Sequence, residues 1–540
     1  MPPNLGEPEF ATPAPREAPP HATGAKRSAL GDGQRRSPPK LPFLLVALAE
    51  LGIGLELARP FKTAAIAYDT AASVIHFERM ASGRLLEAVL NTTPKPLLTV
   101  VDGLLYALTG DWRPIAWATL AAFAAAAAIA SYVAARLDGW LAAGLVAVAF
   151  GTSGGLWIDA GLSLAVAWAL LGLALAALAV TSARPRYGLT GVAILLASLA
   201  RIESLALVPV AVASLAWAST RHPPARRPPE AAWLVPLIPT LAIPIMLIHD
   251  WILIRDPMYW AQIADRYSAT TRSPILAPGG MVAALAGHGV QEIGFLILGA
   301  VGIVRLARGR SRALAIGLIG LCLGVSGLLV LLAARHIYVS DRYFLLIDAA
   351  LIVAAGFGAA AIAERLSLVA MRVRSVGVPR ILRAVAAMTL GGLVAIALGW
   401  PLASFDPRVR STLATHLALS DHFATSLPLI RAALAAPSGA AGVGRLPSVR
   451  LSVPLPLLPR AVVDTDLSWL QVGLNAGVEP GRQFPIAGQI VFHDRLGDPR
   501  LKVLTAIEVM TPRRVGSVVV RPLKVNPAAG YWLVLGMQGP

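Results

Sequence analysis

The chain is predicted to be an all-α polytopic membrane protein of about eleven transmembrane helices, carrying a small β-rich extracytoplasmic domain at its C-terminus. Three observations predict the helical membrane class. Of 540 residues, 56% are hydrophobic and only 14% are charged, against roughly 25% charged in a soluble protein. Mean hydropathy is +0.66. Apolar runs near the ~20 residues a bilayer crossing needs recur along the chain, with basic residues gathered between them. A soluble, fibrous or disordered protein is excluded. The formal charge of +17 is explained by basic loops beside a membrane, so nucleic acid is not an implied partner. The single cysteine, Cys322, allows no disulfide framework. Arg in excess of Lys, with abundant Ala, points to a GC-rich bacterial genome.

Residues 1–40 are polar and rich in Pro, Gly and Arg. They read as a disordered cytoplasmic tail ahead of an uncleaved anchor. Spans are expected at about 41–58, 114–135, 139–158, 160–180, 188–201, 203–218, 232–254, 290–307, 312–334, 343–363 and 384–403. Run 97–109 is short and holds Asp102, so it reads as a helix on the membrane surface, with a twelfth span as the alternative. With the tail inside, the odd count puts the Arg-bearing loops around 136–138, 184–186, 221–227, 305–312 and 365–383 in the cytoplasm, as the positive-inside rule requires. The first outer loop, 59–113, the breaks at Asp159 and Arg201–Glu203, loops 255–289 and 335–342, and everything after 404 then face outward. The membrane domain is residues 41–403. In 404–540, short alternating segments such as Val449–Leu455, Leu501–Val509, Val515–Val520 and Tyr531–Leu535 between Pro and Gly predict strands. The protein belongs, on this reading, to the inner membrane of a bacterium. No internal repeat stands out.

Charged side chains fall at the outer ends of these spans. Asp69 opens an amphipathic segment, Tyr68–Gly83, and a carboxylate there could serve as general base on a hydroxyl; the plainer reading is a solvated loop acid. Lys95 sits in the Pro-rich turn Thr92–Leu97. Asp159 stands between two apolar runs, as an active-site acid or as a cap on the next helix. Arg201 and Glu203 interrupt some 30 apolar residues, as a mutual pair or as a site, since charge at membrane depth is costly. Arg335, His336 and Arg342–Tyr343 cluster before a span, as interfacial anchors or as a clamp for a lipid phosphate. The stretch Asp250–Trp260 followed by Asp265–Arg266–Tyr267 reads as an aromatic belt. Collectively these groups are expected around one outward-facing pocket.

Over residues 41–363 the arrangement resembles the GT-C superfamily of integral membrane glycosyltransferases, which use polyprenyl-phosphate sugars. Tyr68-Asp69 through Ser82-Gly83 resembles the family's first-loop signature of an acid, an amphipathic helix and a Gly. Pro94-Lys95-Pro96-Leu97 resembles the Pro-containing segment that follows. Asp159, with Gly161-Leu162, resembles the second acid of lipid A aminoarabinose-transferase-like members. Arg201-Ile202-Glu203 resembles an Arg-Pro-Asp/Glu step, and Arg255-Asp256-Pro257 a Gly-Asp-Pro step. Arg342-Tyr343 resembles the pair that opens a late span. Departures are the lone acid after Tyr68, where many members pair two, and Ser163, where arabinofuranosyltransferase-like members carry Glu. The resemblance implies inverting transfer of a sugar from a polyprenyl-phosphate donor to a cell-envelope glycan, lipid or protein acceptor. Asp69 would be the base, Asp159 a second catalytic acid that positions acceptor or cation, and Arg201, Glu203, Arg266, His336, Arg342, Tyr343 and Lys95 the substrate-binding set. No cofactor is certain on this reading, and a divalent cation is possible. The rival readings are a transporter or lipid flippase, suggested by Glu50 in the first span and the break at Arg201, and a GT-C-like scaffold without catalysis.

Overall fold

The computed structural model describes residues 40–58, 64–86, 93–221, 230–262, 264, 274–277, 279–309, 311–337, 339, 341–372, 407–435, 450–474, 490–494, 513–515, 518–526 and 532–538. The eleventh expected span, the tail before Lys40, Leu501–Val509 and Arg266 lie outside these residues.

Helices stand where the other ten apolar runs predict them. Among the described residues, four are long and apolar enough to cross a membrane: Arg113–Asp138, Val235–Ile254, Arg312–Ala334 and Arg342–Arg365; two bent pairs, each counted as one span, raise the number to six. The first pair joins α5 (Trp140–Thr152) to α6 (Gly154–Gly161) at a 58° bend, and the second joins Gly280–Gln291 to Ile293–Arg308 at 82°. Other expected spans are shorter helices: α1 (Leu41–Ala58), α7 (Val166–Val180), α8 (Tyr187–Ala200) and α9 (Val208–Arg221). Their shortness has local causes. The expected 160–180 run spends its first residues on a turn around Ser163, whose φ is +59°. The expected 203–218 run begins as a 3-10 turn, Ile202–Leu207, because Arg201 is extended (φ −140°, ψ 125°) and ends α8. Between α1 and α4 (Arg113–Asp138) lie α2 (Tyr68–Ser82) and the apolar α3 (Pro96–Thr109).

Small residues set the helix spacing. Ala and Gly let backbones approach where lipid gives no hydrophobic drive between helices. A Cβ at Gly302 would overlap the Ala354 carbonyl, and one at Gly358 the Leu298 carbonyl. The helices Ile293–Arg308 and Leu345–Arg372 therefore touch through their backbones. Gly358→Ala is expected to cost about 1–3 kcal/mol or more from overpacking, read as a lower unfolding temperature of the detergent-extracted protein, whereas Gly317→Ala, with open space around it, leaves it unchanged. The core is filled around Trp157 and Phe123, whose rings meet edge to face at 4.9 Å. Leu44, Leu45 and Leu48 on α1 and Leu323 on the 312–334 helix stay exposed, as a lipid-facing surface requires.

Residues assigned to one side by sequence meet in space. Arg305 pairs with both Asp138 and Glu364, joining three loops expected inside. The C-terminal residues are mixed rather than purely β. A six-stranded sheet, order β2-β1-β3-β6-β5-β4, is formed by β1 (Leu451–Val453), β2 (Val472–Leu474), β3 (Ile490–Asp494), β4 (Arg513–Val515), β5 (Val518–Asn526) and β6 (Trp532–Gln538). Strand β1 runs parallel to β2 and β3, and the remaining neighbours are antiparallel. Two helices that alternation does not predict, Pro407–Ala435 and Leu458–Thr465, pack with it. Their apolar faces, Leu419 and Phe423 on one and Leu458 and Ala461 on the other, are spaced three to four residues apart, the helical period.

Candidate active site

Asp69 lies in the first turn of α2, where the helix dipole favours a carboxylate. The preceding segment is pinned to the α6–α7 turn. Ala67 N–H donates to the Leu162 carbonyl at 3.1 Å. The Ser163 hydroxyl donates to the Ala65 carbonyl at 3.1 Å, and the Thr70 hydroxyl to the Ser163 carbonyl at 2.6 Å. Ser163 thus holds the segment that precedes α2. Helix α2 ends at Gly83, whose φ of +64° is the left-handed conformation the sequence signature anticipates.

Two cations reach Asp69. Lys95 Nζ is 3.5 Å from Asp69 Oδ2 and Arg342 is 3.6 Å from the same oxygen. Lys95 is buried, just ahead of Pro96, the first residue of α3, and donates to the Thr93 carbonyl and hydroxyl, each at 3.2 Å. Arg342 stands on the 3-10 turn Asp341–Phe344 that leads into the 345–372 helix, with its side chain 46% exposed. Its backbone carbonyl accepts from Arg201 Nη2 at 3.3 Å. Arg201 forks onto Glu203 at 3.0 and 2.8 Å, both buried, and its guanidinium lies 5.4 Å from the centre of the Tyr343 ring. Asp159 is buried on α6; one oxygen accepts from Val166 N–H at 3.2 Å, capping α7, and the other has no partner among the described residues.

The electrostatics follow from this packing. Burial raises the Asp69 carboxyl, but Lys95, Arg342 and Arg201 outweigh it and hold the group below its ordinary range. Burial lowers the Lys95 ammonium; Asp69 opposes this, and Arg201 and Arg342 add to it, leaving Lys95 below its usual range. Asp69 is therefore an anion and a weak base while the two cations face it. Such a donor set does not suit a divalent cation: Asp69 is already matched by two positive groups, and Asp159 spends one oxygen on α7. Among the described residues no group of three or more His, Cys, Asp or Glu is placed to hold a metal.

Of the expected site residues, the structure gathers Asp69, Lys95, Asp159, Arg201, Glu203, Arg342 and Tyr343. His336 is exposed at a φ of +55° and makes no hydrogen bond or ion pair to this cluster. Arg255 occupies a left-handed position, φ +65°, a conformation that favours Gly, and its guanidinium lies 4.6 Å from the Trp251 ring centre. A buried relay escapes the sequence reading. Asp250 Oδ1 lies 3.0 Å from His249 Nδ1, and His249 Nε2 lies 3.0 Å from the Thr99 hydroxyl. The Thr99 N–H in turn donates to the Lys95 carbonyl at 2.9 Å. His76, edge-on to His249 at 5.4 Å, is two helical turns from Asp69 on the same face of α2; burial, then His249 and Lys95, push it well below its usual range. The available signals were the i, i+7 spacing of Asp69 and His76 and the polar pair His249–Asp250 within an apolar run.

No family model matches the sequence, and no curated protein matches it. Among solved structures the chain is similar to the Archaeoglobus fulgidus oligosaccharyltransferase tethered with an acceptor peptide (10% identity, TM-score 0.48, 80% of this chain and 64% of that one). It is also similar to ArnT from Cupriavidus metallidurans bound to undecaprenyl phosphate (13% identity, TM-score 0.45, 92% of this chain and 97% of that one). The chain thus spans about two thirds of the archaeal enzyme's length.

Proposed function

We propose that this protein is a GT-C-type membrane glycosyltransferase that moves a sugar from a polyprenyl phosphate to a cell-envelope acceptor on the extracytoplasmic face of a bacterial plasma membrane. The observation that carries the reading is the meeting of Asp69 with Lys95 and Arg342 from three segments of the chain. Two cations converging on one carboxylate can also hold another oxyanion by charge-assisted hydrogen bonds, and a lipid phosphate is such an anion. The donor's tail would lie along the exposed apolar helix faces, its phosphate taken by Lys95 and Arg342.

The chemistry then has an order. As the phosphate engages the cations, Asp69 loses its partners and gains a negative neighbour, so its basicity rises. It takes the acceptor hydroxyl's proton while that oxygen attacks the anomeric carbon from the face opposite the phosphate, inverting the centre. The C–O bond to phosphate breaks, and the charge left on the phosphate is held by Lys95 and Arg342. Phosphate needs no general acid to leave. Asp159, with its free oxygen, orients the acceptor, and the Arg201–Glu203 fork fixes the turn that presents Arg342.

Radiolabelled polyprenyl-phosphate sugars incubated with membranes containing the protein test this reading: label passes to an envelope acceptor in the wild type, and absence of transfer with every donor tried contradicts it. A transporter would instead move donor between leaflets without cleaving it. A pH profile adds a sharper expectation. Asp69 is depressed in the free enzyme, so the acid limb of kcat/KM lies below the ordinary carboxylate range. The acid limb of kcat, which reports the donor complex, lies higher. Lys95 is depressed as well, so donor KM rises on the alkaline side earlier than an ordinary lysine would cause. Coincident acid limbs would remove the exchange of partners from the mechanism.

A further inference from the structure

The C-terminal residues reach the Asp69 segment through one carboxylate. Asp464, at the end of the buried helix Leu458–Thr465, accepts from three side chains. Its Oδ1 takes Trp112 Nε1–H at 2.8 Å and the Tyr106 hydroxyl at 3.4 Å; its Oδ2 takes Arg460 Nε at 3.0 Å. Arg431, on the 407–435 helix, donates through Nε to the Asp464 carbonyl at 2.8 Å. Arg460 also lies 5.8 Å from the Trp112 ring centre and points Nη1 at the Ala64 carbonyl, 3.5 Å away. Ala64 begins the segment that leads into α2 and Asp69.

Around this hub the apolar contacts are continuous. Val463 packs on the cluster of Ala64, Ile66, Ala71, Val74, Trp112 and Ile115, and Leu458, Ala461 and Val462 cover Ala72 and Ile75 on α2. A buried ion pair contributes little net stability over an apolar filling but fixes geometry through directional bonds. Here it links the C-terminal helix, the end of α3, the start of α4 and the segment before α2. The α6–α7 turn holds the same segment through Ser163.

We infer that Arg460 and Asp464 are positioning residues, and that the C-terminal region serves as a clamp fixing the Ala64–Ser82 segment and the placement of Asp69 toward Lys95 and Arg342. The inference rests on the glycosyl-transfer reading for its catalytic consequence, but the clamp itself is read independently.

Hydrogen–deuterium exchange on the full-length protein in detergent, for wild type, Asp464→Asn and the milder Trp112→Phe, tests it together with transfer kinetics. The expected result is exchange raised roughly tenfold or more over residues 64–70 in both variants, the membrane helices keeping wild-type protection. Transfer kcat falls roughly 10- to 100-fold, as misplacement of a reacting group predicts, with donor KM within twofold of wild type. Wild-type exchange over 64–70, a rise spread uniformly over the chain, or an unchanged kcat despite the local rise would each overturn the inference. If the wild type itself transfers nothing while the local rise appears, the glycosyl-transfer reading fails and the clamp stands.

Discussion

Asp69→Asn lowers the transfer rate constant by about 10²- to 10⁴-fold, the share a general base supplies, while the amide keeps the shape of the side chain it replaces. Helix content stays at the wild-type level, because Asn fills the same space at the helix start, whereas stability falls because buried Lys95 loses a counter-charge. The rate is read as initial velocity at saturating donor and acceptor. Retention of more than about a tenth of the wild-type kcat would take the base role from Asp69. The next acid is Asp159, which already serves as the cap of α7; Asp159→Asn is expected to raise acceptor KM as well as lower kcat, so the two variants separate by that split.

The largest effect on stability belongs to Glu203→Gln. Arg201 is 5% and Glu203 1% exposed, so removing the carboxylate leaves a buried guanidinium without its counter-charge. That cost is about 3–5 kcal/mol, enough to deplete the folded protein in membranes and to lower its unfolding temperature in detergent. Replacing both members, Arg201→Met with Glu203→Met, removes the uncompensated charge and is expected to recover most of the loss. It does not recover transfer, because the hydrogen bond from Arg201 to the Arg342 carbonyl goes with it. A double variant as active as wild type would reduce the fork to packing.

The membrane helices and the outer acids were legible because both rest on strong local signals: long apolar runs, and charges whose cost confines them to span ends. The meeting of Asp69, Asp159, Arg201 and Arg342 is legible only as parity, since span counting puts all four on one face and says nothing of their contacts. Three things were not readable. The division of 188–218 was expected, but not that Ile202–Leu207 is a 3-10 turn, because no period distinguishes six such residues. Asp250 belongs, in the sequence, to an aromatic belt, and no motif singles out His249; their relay to Thr99 spans 150 residues and leaves no local trace. The helix Leu458–Thr465 was hidden in a stretch whose Pro and Gly spacing suggests strands, and only its packing on α2 reveals why Arg460 and Asp464 are tolerated inside.

Binding of a sugar-free polyprenyl phosphate to the purified protein bears most directly on the anion socket. The phosphate and the Asp69 carboxylate compete for Lys95 and Arg342. Asp69→Asn therefore binds the lipid at least as tightly as wild type although it is inactive, while Lys95→Gln and Arg342→Gln bind it about tenfold or more weakly, each losing a charge-assisted hydrogen bond. Equal affinity in all four proteins, or weaker binding by Asp69→Asn alone, would contradict the socket and the mechanism built on it.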